Sequence, residues 1–554
     1  VTTADQRHAE AQHHHRAGDL ARAESLYRAA LAHNPAHADS LHQLARIARA
    51  QGHAQAALPL IEQAIKQKPR NAAYRDTLGM VLLALGRPAE AIAACRHAIR
   101  LDKSSPAANC NLGLALAALG QHEDAAQSFR RAIALDPAYK PAIIQLGIAC
   151  QREGDLPGAE QAVRRMIALT PHDPSLLSDL AIQLHQQNRA AEAEAAFNGA
   201  LALAPNDPKL LARLAVCRRD MGDLAAAEAH FRAALALAPA EPLLHYGLAH
   251  TLLTAGKWRE GFAEHEWRWR AHNIAAPDSA PRWTGAPGPG TLLITAEQGQ
   301  GDVIHFLRYV PRAAARIRVV LEIYPALRRL AESLPGIAAI ICPGDPIPAH
   351  DAVCPLLSLP RALSLDEAPL AMAAPYLHPD PADIAVWAAR TASLRGRKIG
   401  LAWAGAADFA FDRRRSIPPA LLDALADPAI SFVSLQKNPA ARPSLSLTDH
   451  TAELHDFADT AALIANLDLV ISVDTAIAHL AGALGRPVWL LNRFDADWRW
   501  QRAGADSAWY PTLRQFRQPK SGDWQAVITS IRAALRESRT QTAAAAANPL
   551  DQAH

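Results

Sequence analysis

Residues 468–491, DLVISVDTAIAHLAGALGRPVWLL, decide how the C-terminal half of the chain is read. Asp468–Val473 is β-branched and apolar, the composition of a strand buried on both faces of a parallel sheet. Thr475–Leu484 has the small and straight-chain residues of a short packed helix; Gly485 is positioned to end it, and Arg486-Pro487 blocks its continuation. A second apolar run, Val488–Leu491, follows. Strand, loop, helix and strand in this order make half of a doubly wound α/β domain, whose ligands bind beyond the carboxyl ends of the strands. Asp474 and Thr475 fall at that end. The helix start there offers unpaired N–H groups and a positive dipole end to a phosphate. Asp474 would repel a phosphate but can accept hydrogen bonds from vicinal sugar hydroxyls, and His479, one turn after Thr475, lies on the same face. A nucleotide diphosphate sugar presents both groups. The alternative is that Asp474 or Thr475 only caps the helix and that His479 is a satisfied core histidine.

A chain of 554 residues has room for three or four domains, and half of its residues are hydrophobic. With 57 basic against 54 acidic residues the net charge is +3, which gives no global case for nucleic acid or an anionic membrane. No apolar stretch approaches membrane length, and no basic segment followed by an apolar run opens the chain, so a soluble cytoplasmic protein is expected. The six cysteines form no CxxC pair, and Cys95 and Cys150 occupy slots that other repeats fill with apolar residues, so reduced, buried thiols are expected. His13–His15 resembles a metal tract but lies in a helical segment ahead of Gly18, where a solvated face is the simpler reading.

The N-terminal half is a repeat array. Gly18, Gly52, Gly86, Gly120, Gly154, Gly222 and Gly256 share one 34-residue lattice, with Asn188 in the remaining slot. Leu44, Leu78, Leu112, Leu146, Leu180, Leu214 and Leu248 share it too, as do Ala23 and its successors to Ala227 and most of a proline row from Pro35 to Pro239. The residues are those of a helix hairpin. Leucine fills the space between two helices, alanine lets the second approach closely, glycine or asparagine takes the left-handed turn, and proline separates one unit from the next. This period and these residues resemble the tetratricopeptide repeat, over about eight units in residues 1–272. Glu10 replaces leucine in the first unit, as befits an exposed cap, and Trp258, Trp267 and Trp269 stand where the array must meet the next domain. Gln43, Thr77, Asn111, Gln145, Asp179 and Arg213 precede the leucines in a polar line, either along a concave peptide-binding face or simply solvated.

A Pro, Gly and Ala-rich linker (273–290) leads into an α/β half of two unequal lobes. In the first (291–380), TLLITA reads as a strand, EQGQG as a glycine loop and DVIHFLRYVPRAAAR as an amphipathic helix. The second (396–537) opens with RKIGLAWAG, a strand entering the glycine turn at Gly405, and closes with the helix WQAVITSIRAAL; the alanine-rich tail (538–554) is expected to be disordered.

EQGQGDVIHFLRYVP, WAG, DRRRSIP, SLQ, VISVDTAIAHLAGALGRPVWLL, DWRW and WYPTLRQFRQ together resemble bacterial proteins that join tetratricopeptide repeats to a domain of glycosyltransferase family 9, the heptosyltransferase type. The resemblance implies a GT-B arrangement of two Rossmann-like lobes, the donor nucleotide sugar on the second and the acceptor on the first, with inversion at the anomeric carbon and neither metal nor other cofactor. It assigns Asp302 as the general base, beside an acceptor-side loop of Gln298, Gly299 and Gly301 whose glycines let the backbone approach a substrate. It assigns Asp474 to sugar hydroxyls, Thr475 to the helix-start contact and His479 to the nucleotide side, with Gly405 in the donor loop. Arg413, Arg414 and Arg415 follow the first strand of the second lobe, where cations would neutralise a leaving diphosphate.

Departures qualify this assignment. Ala476 stands where the family commonly has glycine, which narrows a backbone approach to the donor. The short first lobe suggests either that the repeats supply part of the acceptor site or that the acceptor site is degraded. Asp495-x-Asp497 resembles the metal-binding pair of another glycosyltransferase class but sits in the wrong fold context, so no metal is expected. The expected partners are a nucleotide sugar and a protein or glycan acceptor held by the array, with no nucleic acid and no membrane insertion. A protein acceptor would follow the pattern of the O-linked GlcNAc transferases, which also join these repeats to a GT-B domain. The rival reading is a scaffold whose α/β half senses a nucleotide sugar without turning it over.

Overall fold

The computed structural model describes residues 3–187, 189–274, 280–365, 374–405, 412–502 and 504–547. The chain divides into two compact units, Val1–Pro205 and Asn206–His554. The first unit is helical, with six antiparallel pairs from Ala4–Arg16 and Leu20–His33 to Pro174–Gln186 and Ala190–Leu203. Asp or Ser side chains cap many of these helices, as Ser105 accepts from Ala108 N–H and Asp155 from Gly158 N–H. The lattice glycines have φ between +71° and +95°, the left-handed turn that a Cβ would strain; Asn188 lies outside the described residues.

The polar line is neither free nor merely solvated where its partners are seen. Thr77 is buried and bonds His42 Nε2 at 2.8 Å, and Asn111 donates to Asp76 at 2.8 Å, so both tie one repeat to the next. All six cysteines are buried thiols.

The second unit begins with two further helix pairs, Pro208–Met221 with Leu224–Leu237 and Pro242–Thr254 with Trp258–His265. Composition draws the domain boundary at 272, but these pairs belong to the same compact unit as the α/β half. One hydrophobic core runs from Leu253 and Phe262 through both lobes to Trp498, Trp500 and Trp509. Trp258 packs edge-on against Trp498 and Trp509. Trp267 instead stacks on His245 within the repeats, 3.9 Å between centroids. The polar tie to the first lobe is Arg268, buried, whose guanidinium forks onto Glu297 at 2.8 Å twice and also donates to Ser358. The second part of the linker is docked as well: Trp283 N–H donates to Val353 O and Val353 N–H to Pro281 O.

The first lobe contains β1 (Thr291–Thr295), β2 (Arg318–Glu322), β3 (Ile337–Ile341) and β4 (Ala352–Pro355), all parallel in the order β3-β2-β1-β4. The segment expected as one helix from Asp302 starts earlier, at Gln300, and breaks into Gln300–Phe306, a 3-10 turn Leu307–Tyr309 and Val310–Ala314, because Pro311 must sit near a helix start. The second lobe contains β5 (Arg397–Ala402), β6 (Ile430–Ser434), β7 (Leu447–Asp449), β8 (Leu469–Val473), β9 (Val488–Asn492) and β10 (Leu513–Arg517), parallel in the order β10-β9-β8-β5-β6-β7. The order reverses between β5 and β8, and the crevice beyond their carboxyl ends is where a doubly wound sheet binds ligands. The closing helix runs Trp524–Ala547, so residues 538–547 are helical rather than disordered. Alanine has the highest helix propensity, and the first turns are anchored by Trp524, Val527, Ile528 and Ile531 in the second-lobe core. No helix among the described residues is long and apolar enough to cross a membrane.

Candidate functional site

β8 ends at Val473, and the chain turns through Asp474 and Thr475 into the helix Ala476–Ala483. Thr475 is the N-cap residue but makes no side-chain capping hydrogen bond; its Oγ1 lies 3.2 Å from Ser472 Oγ. Thr475 thus caps through its carbonyl, which accepts from Ala478 and His479 N–H, and among the described residues no side chain accepts from the N–H groups of Ala476 and Ile477. Ala402, Ala404 and Gly405 at the end of β5, Gln436 and Lys437 after β6, and Asp474–Ile477 line a cleft of about 920 Å³. The opposite wall is the first-lobe loop Gln298–Asp302. Gln298, Gly299, Gly301, Asp302, Gly405, Arg415, Asp474, Thr475 and His479 thus meet in one cavity; the side chain of Arg413 lies outside the described residues.

The loop is held from beneath. Glu297, tied to Arg268, also accepts from Leu357 N–H at 3.1 Å. Gln298 takes φ +61°, uncommon for a residue with a side chain, and its carbonyl accepts from Tyr324 Oη at 2.8 Å. Asp302 Oδ2 accepts from Gly299 N–H at 3.1 Å, which fixes the carboxylate at the start of its helix. A Cβ on Gly301 would lie 3.3 Å from His479 Cδ2 and 3.4 Å from Ala476 Cα, so the two helix starts touch here. Ala476, expected to limit a donor, turns its backbone toward Gly301 at this contact.

The strongest electrostatic feature is one that the sequence does not single out. Arg499, nearly buried, sets Nη2 2.5 Å from Asp302 Oδ1 and Nη1 2.8 Å from Asp497 Oδ1, and lies 4.3 Å over the Trp498 ring. Burial pushes the Asp497 carboxyl up, but Arg499 and His250 outweigh it and hold it at about 2. Asp474 moves the other way: burial and then the Asp497 charge raise it, against the pull of Arg493 and Arg415. Arg415 donates to Asp474 O at 3.2 Å and pairs with Asp412. Arg493 lines the cleft with its buried Nε lacking a hydrogen-bond partner, and Asp495 is 3.7 Å away. Arg414 turns to Asp495 at 2.9 Å and Asp220 at 3.5 Å, away from the diphosphate role expected of its triplet. Asp495 and Asp497 therefore each have an arginine partner. The DWRW motif carries Arg499, but nothing in its spacing says that it reaches Asp302.

His479 is nearly buried, stacked on Trp500 at 4.8 Å, with Nδ1 3.0 Å from Tyr510 Oη and Nε2 4.0 Å from Asp474 Oδ1. Burial, then Arg499, lowers it to about 3, so the ring is neutral.

Residues 8–72, 42–106, 77–140 and 213–264 match a tetratricopeptide repeat model, and residues 116–184 and 174–198 match two others. Residues 452–491, which include Asp474, Thr475 and His479, match glycosyltransferase family 9 (heptosyltransferase). The chain carries tetratricopeptide repeats and a C-terminal segment that matches glycosyltransferase family 9. It is 29% identical over 335 residues to Protein FlbA of Caulobacter vibrioides, a match covering 53% of this chain and 55% of that protein. The chain thus spans about half the length of this curated relative. Among solved structures it is similar to MamA, at 24% identity over 29% of this chain and 95% of that one with TM-score 0.27. It is also similar to a thermophilic TPR protein of Thermus thermophilus, at 26% identity over 32% of this chain and 98% of that one with TM-score 0.26. The family 9 segment supports a glycosyltransferase in general terms, and it ends at Leu491, ahead of Arg493, Asp497 and Arg499.

Proposed function

We propose that the chain transfers a sugar, with inversion and without a metal, from a nucleotide diphosphate sugar to a protein or glycan acceptor recruited by the repeats. The observation that carries this is one cleft lined by Asp302 of the first lobe and by the Asp474–Thr475 turn at the strand-order reversal of the second. The acceptor hydroxyl oxygen attacks the anomeric carbon as its proton passes to Asp302, and the bond from that carbon to the diphosphate oxygen breaks. The charge that develops on the diphosphate meets the N–H groups of Ala476 and Ile477 at the helix start, with Arg415 and Arg493. Asp474 accepts sugar hydroxyls. The Arg499 and Gly299 contacts leave lone pairs on both Asp302 oxygens, since a carboxylate has about four acceptor sites. Within the repeats of the first unit, Ile144, Ile148, Met166, Leu176 and Ile182 line an apolar groove that offers a protein acceptor a docking surface.

The second reading, a nucleotide-sugar sensor without turnover, is favoured by the same engagement of Asp302 with Arg499. A melting screen against nucleotide diphosphate sugars, followed by hydrolysis and transfer assays, separates the two. Turnover by the wild type that Asp302→Asn abolishes, with donor stabilisation kept, supports the transferase. Stabilisation with no turnover in either protein supports the sensor.

A further inference from the structure

We infer that Tyr510 is a positioning residue that fixes the tautomer of His479, so that His479 presents a neutral Nε2–H to the cleft beside Asp474. This rests on the proposed site only in what the N–H would serve, a donor oxygen near Asp474.

Tyr510 Oη stands between two imidazoles, 3.1 Å from His305 Nδ1 and 3.0 Å from His479 Nδ1. A phenol has one proton, so it donates to at most one of the two rings. His305 is fully buried and its Nε2 has no hydrogen-bond partner. Orphaned buried N–H groups are rarer in folded proteins than under-satisfied acceptors, so the lone pair is the favoured occupant of that position. His305 therefore carries its proton on Nδ1 and donates it to Tyr510. Tyr510 then donates to His479 Nδ1, and the His479 proton sits on Nε2, facing the Asp474 carboxylate at 4.0 Å. The reverse chain would leave an unsatisfied N–H on His305 and a lone pair on His479 turned to that carboxylate. Tyr376 and Arg308 also reach the Tyr510 hydroxyl, but Tyr376 donates its own proton to Ile304 O and receives Arg308 Nη2, and a phenol oxygen so engaged is a weaker acceptor for the Tyr510 proton than the imidazole nitrogen of His479. Arg308, its guanidinium 4.7 Å over the Tyr510 ring, further disfavours protonating either imidazole.

The test uses the whole chain with ring-15N histidine, read by long-range proton–nitrogen correlation, with His479→Gln identifying the His479 signals. Wild type is expected to show His479 in one neutral form protonated at Nε2, without any ligand. Tyr510→Phe, which keeps the ring, is expected to show a mixture of the two tautomers and at least a fivefold loss of the His479 shift response to inorganic pyrophosphate. A wild-type His479 protonated at Nδ1, or an unchanged single tautomer in folded Tyr510→Phe, overturns the inference. Should Tyr510→Phe not fold, the wild-type spectrum alone decides. No sugar donor enters the measurement, so a failure of the transferase reading leaves its result standing, and the converse holds.

Discussion

Arg499 joins Asp302 of one lobe to Asp497 of the other, 2.5 Å and 2.8 Å from its two terminal nitrogens. The arginine is nearly buried while each carboxylate keeps partial contact with water, so the worth of the bridge lies less in net attraction than in what its loss would leave behind. Arg499→Ala strands both carboxylates and is expected to cost about 3 kcal/mol of stability, visible as a lower denaturation midpoint in urea. Arg499→Lys restores charge without the two-pronged geometry and should recover only part of it. An alanine variant as stable as wild type would refute the structural bridge.

Arg493 offers the contrast. Its buried Nε has no hydrogen-bond partner and its nearest carboxylate is 3.7 Å away, so little in the unliganded fold depends on it. Arg493→Gln is expected to weaken pyrophosphate binding roughly tenfold, the scale of one charge-assisted hydrogen bond, with the melting temperature nearly unchanged. Calorimetric titration of both proteins checks this.

These two residues also mark what can be read before folding. β8, buried at every position, is legible because a buried parallel strand needs an unbroken apolar run, and the repeats are legible because each unit solves the same packing problem at the same interval. Asp302, Asp474, Thr475 and His479 are legible as chemistry at a strand end. Arg493 and Arg499 are not. Their roles depend on where a loop after β9 comes to rest against another lobe, and local pattern carries no such distance. The junction escapes for the same reason: Arg268 meets Glu297 only after the linker has folded back onto β4. The helical run to Ala547 escapes a reading that weighs low complexity above alanine's helix propensity.

Gly301 is set by the opposing helix. A methyl there would press on His479 Cδ2 and on the Ala476 backbone, and backbone yields poorly. Gly301→Ala should lose about 1–2 kcal/mol and Gly301→Val more, with donor affinity falling in the same order. Thermal melts with and without donor would check both trends.

Acid should act on this protein above the usual carboxylate range. Burial, aided by nearby arginines, lowers His250 and His42 to about 4 and His479 to about 3, from an ordinary 6.5. Between those values the unfolded chain binds more protons, so stability rises with pH through this window and is lost as pH falls from 6.5. Each histidine contributes a slope on the order of 1 kcal/mol per pH unit. Asp497, held at about 2, adds a loss only below 3.8, while the raised Asp474 works oppositely, its contribution shrinking as pH climbs past 3.8. Midpoints measured from pH 4 to 7 should fall toward acid, and His479→Gln should flatten the slope by about one proton's share.

Glu297→Gln leaves Arg268 buried with half of its fork unanswered, and a loss of about 3 kcal/mol is expected. The loop Gln298–Asp302 should loosen with it, as faster amide exchange at Gly299 would report.

Repeat arrays change length over evolutionary time by gaining or dropping whole hairpins. In this chain the hairpin from Pro242 to His265 contributes Leu253 and Phe262 to the same core as Trp498 and Trp509. It is no longer an interchangeable module, and removing it would bare the tryptophans behind Arg499. Growth or shrinkage of the array is therefore barred at this hairpin, which cannot be dropped without reopening the chamber where the chemistry is proposed to occur.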